Sequence, residues 1–168
     1  MRIAVTGPEC TGKSSLAEQL SFHLGIPLVR EFAREYLFDQ GKDYSEDDLL
    51  EIARQQFRLN EKGASEKGVV CDTEIMVIKL WSLDRFGRCH PEIDDYLNVQ
   101  EFDHYLLCFP DLPWVEDDLR ELPDLKSRLR LYYRYEEELK KLNRAFSVIT
   151  GFGEDRLTNA RSFLSGLT

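Results

Sequence analysis

Short apolar runs alternate with longer amphipathic stretches along these 168 residues. Ile3-Ala4-Val5-Thr6 is β-branched and apolar, as a buried strand requires, and the first strand is placed at about 2–6. Ser14 to Leu24 has the amphipathic spacing of a helix, which Gly25 ends. Ile26-Pro27-Leu28-Val29 is a short second strand, followed by a charged helical segment from Arg30 to about Gln40. Ser45-Glu46-Asp47-Asp48 has capping-box chemistry and starts a long helix. Leu49, Ile52, Ala53, Gln56 and Phe57 share one face of it. Gly68 to Thr73 is a buried strand ending in a carboxylate. Helices from Glu74 to Phe86 and Pro91 to Val99 lead to a fourth strand, His104 to Phe109. A Pro/Asp/Trp segment and a charged helix to about Asn143 precede the fifth strand, Phe146 to Thr150, and a last helix to Gly166. Five apolar strands separated by helices predict a parallel sheet covered on both faces. No repeat or low-complexity linker divides the chain, so residues 1–168 are taken as one domain.

The loop after the first strand carries the chemistry. Residues 7–14, Gly-Pro-Glu-Cys-Thr-Gly-Lys-Ser, match the phosphate-binding pattern G-x-x-x-x-G-K-[ST] in full, between a strand and a helix. Converging backbone N–H groups and a helix N-terminus favour an anion there. Gly7 and Gly12 let the backbone turn close to phosphates. Lys13 reaches the β- and γ-phosphates, and Ser14 offers a hydroxyl to Mg²⁺. Glu9, Thr11 and Ser15 complete the expected nucleotide contacts. ATP and Mg²⁺ are the cofactors this loop implies.

Ligands of open α/β sheets sit beyond the carboxyl ends of the strands. Asp72 is delivered there, where a carboxylate holds Mg²⁺ or takes the proton of an acceptor hydroxyl. The bland alternative is a helix cap. Arg30-Glu31-Phe32-Ala33-Arg34-Glu35-Tyr36 reads either as a solvated, ion-paired helix face or as a substrate wall of Glu31, Arg34 and Tyr36. Trp114 is either a stacking platform beside Asp117 or a packing residue at a helix start. Arg120, Lys126, Arg128, Arg130 and Arg134 form a basic cluster in a candidate lid, about residues 113–135. Arg120, and more weakly Arg128, would neutralise charge on a transferring phosphoryl group. A salt-bridged surface helix explains the same cluster. Gly151 follows the fifth strand, where adenine would lie, or is a plain turn.

Net charge is −9, which speaks against nucleic acid or an anionic membrane as partner. No apolar run approaches the roughly 20 residues of a membrane span, and no signal peptide is read at Met1-Arg2-Ile3. Cys10, Cys71, Cys89 and Cys108 are scattered without metal-ligand spacing, and a reducing cytoplasm is the expected compartment. Cys10 lies inside the phosphate loop. Oligomeric state is not legible.

Taken together, residues 7–14, Arg30 to Tyr36, Cys71-Asp72-Thr73 and Pro113-Trp114-Val115-Glu116-Asp117-Asp118-Leu119-Arg120 resemble the nicotinamide riboside kinase domain of bacterial NAD-salvage proteins, a small P-loop family of AAA type. The resemblance runs through nearly the whole chain in the same order. It implies ATP- and Mg²⁺-dependent phosphorylation of the ribose 5′-hydroxyl of nicotinamide riboside. It also implies the three-layer kinase fold with strand order 2-3-1-4-5. Two features depart from it. These residues contain the kinase portion without the adenylyltransferase domain that precedes it in the bifunctional proteins, and Pro8 and Cys10 replace small polar residues in the loop. A kinase of another nucleoside, or an ATP-binding regulatory module, is the alternative.

Overall fold

The computed structural model describes residues 1–38 and 43–166. Five strands form one parallel sheet: β1 (Arg2–Thr6), β2 (Leu28–Val29), β3 (Val69–Asp72), β4 (His104–Cys108) and β5 (Phe146–Ile149), in the order β2-β3-β1-β4-β5. Seven helices are described: α1 (Lys13–Leu24), α2 (Phe32–Tyr36), α3 (Glu46–Lys62), α4 (Ile75–Phe86), α5 (Pro91–Val99), α6 (Leu125–Lys141) and α7 (Glu154–Leu164). Strand alternation sorts the core into two layers. Ile3, Val5, Val70, Leu106 and Cys108 pack with Leu16, Leu20, Ala160 and Leu164 of α1 and α7. Ala4, Val69, Cys71, Tyr105 and Leu107 pack on the other face, against α3 to α6. Both faces of every central strand are therefore dry, and the strands read as continuous apolar runs.

Some boundaries move. The second strand is two residues rather than four, since Pro27 has no N–H to extend the ladder and contributes only its carbonyl, which accepts from Val70 N at 2.9 Å. The helix after it is Phe32–Tyr36, because Arg30 and Glu31 stay extended, and the expected end at Gln40 lies outside the described residues. The last helix ends at Leu164 rather than Gly166. The capping box is present: Asp48 N donates to Ser45 Oγ at 3.3 Å, and Ser45 N to Asp48 Oδ2 at 2.8 Å. No helix among the described residues is long and apolar enough to cross a membrane.

The cap of α4 is Glu74, not Asp72. Its carboxylate accepts from Met76 N at 2.6 Å and from the Thr6 hydroxyl at 2.9 Å, in complete burial. Burial pushes its pKa up from 4.5 to about 7, against those two hydrogen bonds. Between these values the folded protein holds a proton that the unfolded chain has released. Stability from this group therefore falls as pH rises through that window and levels off above about 7. Urea midpoints should drop from about pH 5 to about pH 8, and Glu74→Gln should flatten the drop. An unchanged slope in that variant would contradict the assignment.

Candidate active site

The phosphate loop leaves β1 with Gly7 at φ +129°, where an added Cβ would lie 2.7 Å from the Cys108 carbonyl oxygen. Only glycine fits this approach to β4. Gly12, at φ +76°, caps α1, and no side chain caps that helix among the described residues. Its first-turn amides are thus left for an anion. The Lys13 ammonium donates to Pro8 O at 2.8 Å and arches over the loop, and the buried Thr11 hydroxyl donates to the same carbonyl at 2.8 Å. These contacts preform the cradle.

A cavity of about 460 Å³ opens from this loop, within the usual size of small-molecule sites. Gly7, Glu9, Thr11, Gly12, Lys13, Ser14 and Ser15 line one end, and Glu31 and Arg34 line the side below β2. Arg120, Glu121 and Leu122 line it from the segment between β4 and α6, as do Trp81, Asp84 and Arg85 of α4 and Tyr135 of α6. Glu9 joins the phosphate loop to that segment, accepting from Glu121 N at 2.9 Å and from Leu122 N. Glu121 is also held from the opposite side. The Trp81 indole N–H donates to Tyr44 Oη at 2.7 Å, and that hydroxyl donates to Glu121 Oε2 at 2.9 Å. Cys10, at φ +56°, adds a third tie: its sulfur accepts from Val115 N at 3.3 Å and donates to Pro113 O at 3.4 Å.

Glu31 faces the cavity with its side chain 20% exposed, 3.4 Å from Arg34 Nε. Burial raises its pKa above the ordinary glutamate value, the Lys13 charge pulls it down, and Asp72 raises it further. Arg34 is also paired with Asp117 at 3.1 Å, so Asp117 supports the wall from behind rather than lining it. Asp72, at the end of β3, is 4% exposed and lies outside the lining. Its Oδ1 has no protein partner. Burial pushes its pKa up, while the Ser14 hydroxyl, Lys13, Arg34 and Arg30 pull it down. The next residue, Thr73, sits at φ +83°, an outlier for a β-branched side chain and a mark of backbone strain.

Four further expected site residues lie outside the cavity lining. Trp114 does not line the cavity; the guanidinium carbons of Arg120 and Arg128 lie 5.9 and 5.6 Å from its ring centre. Arg128 is 3% exposed, donates to Leu112 O at 3.3 Å and is absent from the cavity lining. The Tyr36 hydroxyl donates to Asp48 Oδ1 at 2.9 Å, and so ties α2 to α3. Gly151, at φ +98°, donates its N–H to Asp111 Oδ2 at 2.8 Å, away from the cavity wall. Arg130 and Arg134 pair with Asp84, so Arg120 is the member of the basic cluster that reaches the cavity. Trp81, Tyr135, Arg85 and Glu121 were not singled out. Their periodicity places them on helix faces or in a loop without saying which face borders a void.

Residues 2–156 match the AAA domain family along almost their whole length. The chain belongs to this family. Two curated relatives of this AAA domain are trifunctional NAD biosynthesis/regulator proteins NadR. That of Salmonella typhimurium is 26% identical over 150 residues, and that of Escherichia coli is 27% identical over 150. Each match covers 86% of this chain and 37% of the relative, so the chain spans little more than a third of their length. Among solved structures, NadR in complex with NR superposes with a TM-score of 0.76 at 19% identity, over 99% of this chain and 50% of that one. Deoxyadenosine kinase of M. mycoides superposes with a TM-score of 0.69 at 17% identity, over the full length of both. The resemblance drawn from the sequence holds: the AAA domain is a P-loop domain similar to NadR, with the sheet order β2-β3-β1-β4-β5 that the resemblance implies.

Proposed function

We propose that this AAA domain is an ATP-dependent kinase that phosphorylates the 5′-hydroxyl of nicotinamide riboside, giving nicotinamide mononucleotide for NAD salvage in the cytoplasm. Residues 1–168 act as one catalytic domain with a lid at about 113–135. The observation that carries this reading is one cavity that joins the phosphate loop to a carboxylate, Glu31, and to aromatic walls at Trp81 and Tyr135.

In this mechanism the loop amides and Lys13 hold the β- and γ-phosphates, in line with the acceptor. Glu31 takes the proton of the 5′-hydroxyl, and the burial that raises its pKa makes it a stronger base than an exposed glutamate. Asp72 is assigned the metal side instead, since it is buried at the end of β3 beside Ser14. Its unpartnered oxygen and the Ser14 hydroxyl are the hard oxygen donors that suit Mg²⁺. Mg²⁺, when bound, would neutralise phosphate charge. Among the described residues no cluster of three or more His, Cys, Asp or Glu could hold a metal by itself. That fits an ion held largely through phosphates. Arg120 covers the transferring group from the lid, an electrostatic role in the transition state.

The acceptor end favours a flat cation. Trp81 lines this chamber, and Glu31 and Glu121 bring negative charge to it, Asp84 being paired with Arg130 and Arg134. Nicotinamide riboside carries a cationic pyridinium, and a cation–π contact adds roughly 0.5–2 kcal/mol. Uncharged nucleosides lose that contribution. The kinetic constants kcat/KM should therefore rank nicotinamide riboside above uridine, cytidine and deoxyadenosine. Trp81→Ala should raise its KM between about twofold and thirtyfold, with KM for ATP nearly unchanged. Trp114→Ala should act more weakly on the same constant. Equal kcat/KM across the panel would replace this acceptor with a broader nucleoside class.

A further inference from the structure

Two completely buried amides on α3, Gln56 and Asn60, stand one turn apart and do not line the cavity. Gln56 Oε1 accepts from Phe32 N at 2.7 Å, and Gln56 Nε2 donates to Arg30 O at 3.2 Å. The two backbone groups on either side of Glu31 are thus held by one side chain. The same Nε2 donates to Asn60 Oδ1 at 2.9 Å. Asn60 Nδ2 in turn donates to Thr73 O at 3.4 Å. Thr73 is the strained residue next to Asp72, and its own N–H is spent on Val5 O at 3.2 Å. A continuous neutral relay therefore runs from the loop that carries Glu31 to the turn that carries Asp72.

Packing alone does not require this arrangement. Leu49, Ile52 and Ala53 fill the same helix face with apolar side chains. Two buried amides among them cost desolvation unless every polar atom is paired, and these are paired to backbone beside site residues. Amides also suit the place by their charge. They can brace two carboxylates without adding a third negative group or a cation that would neutralise either one.

We propose that Gln56 and Asn60 are positioning residues that set the separation of Glu31 and Asp72, and so align the acceptor side of the site with the Mg²⁺ side. The inference rests on the kinase reading above. Residues that support ligands in this way typically contribute about 10- to 100-fold. The relay also predicts that its two ends fail differently. Gln56→Met frees the Glu31 loop, so KM for nicotinamide riboside should rise about tenfold with KM for ATP within about twofold. Asn60→Leu frees the Asp72 turn, so kcat should fall about tenfold and the Mg²⁺ requirement rise, with the acceptor KM little changed. Asn60→Ala removes the donor to Thr73 without adding bulk or charge, so it should reproduce the Asn60→Leu pattern even if the leucine variant folds poorly.

The experiment measures both KM values, kcat and melting temperature for these variants. It adds titration of AMP-PNP binding with and without Mg²⁺, which needs no acceptor. A split by end, as described, supports the relay. Parameters that stay near wild type, or that fall together in step with melting temperature, overturn it. Should the wild type phosphorylate no nucleoside, the kinase reading fails and the binding arm decides. A Mg²⁺-dependent gain in AMP-PNP affinity that is lost at Asn60 and kept at Gln56 supports the positioning role. An equal gain in both variants overturns it.

Discussion

Lys13→Ala is expected to abolish phosphoryl transfer while leaving the fold intact. The ammonium lies partly exposed at the mouth of the cavity, and its hydrogen bond is to Pro8 O at 2.8 Å within its own loop. Lys13 is not itself a core side chain. Thermal stability should therefore change little. Its loss removes a positive charge from the place where the β- and γ-phosphates would sit, and charge stabilisation of this kind is worth roughly 3–4 kcal/mol of barrier, or about 10²–10³ in rate. Steady-state turnover with Mg·ATP, beside a melting curve of the purified variant, measures both halves. Normal turnover in a folded Lys13→Ala protein would remove the phosphate loop from the account.

Asp72→Asn carries the second large effect. The substitution keeps shape and burial but removes the charge. The cap of α4 is held by Glu74, so the fold does not need Asp72 for that purpose. Two alternatives stood open in the sequence, a cap or a functional carboxylate, and the hydrogen bonds at Met76 N decide against the cap. Turnover should fall at least about 10²-fold, a typical loss for a removed catalytic charge. Affinity for nucleotide without Mg²⁺ should be largely kept. Burial disfavours the charged form of Asp72, so the neutral asparagine should match or raise the melting temperature. A variant with near-normal turnover and a clearly lowered melting temperature would make Asp72 structural after all.

Features coded by neighbours in sequence were legible. The phosphate loop, the Ser45–Asp48 box and the apolar strands each depend on residues a few positions apart, and the sheet order followed from placing them in a kinase-like chain. What failed to show was set by partners far away. Glu9 finds its amides at Glu121 and Leu122, far along the chain, and nothing near residue 9 signals that clasp. Trp81 lies in an apolar helix face, like its core neighbours Ile78 and Leu80, yet its ring borders a void. Trp114 and Arg128 looked available for ligands in sequence. In the fold the guanidinium carbons of Arg128 and Arg120 lie 5.6 and 5.9 Å from the Trp114 ring centre, and neither Trp114 nor Arg128 lines the cavity. Gln56 was read as one more position on the buried face of α3. Its burial was right, but its role depends on backbone groups around Glu31 that periodicity cannot reveal.

The central claim is transfer of a phosphoryl group from ATP to the 5′-hydroxyl of nicotinamide riboside. The most direct measurement incubates the purified protein with Mg·ATP and nicotinamide riboside and identifies the products by mass spectrometry and ³¹P NMR. The expected result is nicotinamide mononucleotide, phosphorylated at the 5′ position, in equal amount to ADP, with little ADP formed when the riboside is left out. ADP released together with inorganic phosphate, at the same rate with or without the riboside, would contradict it.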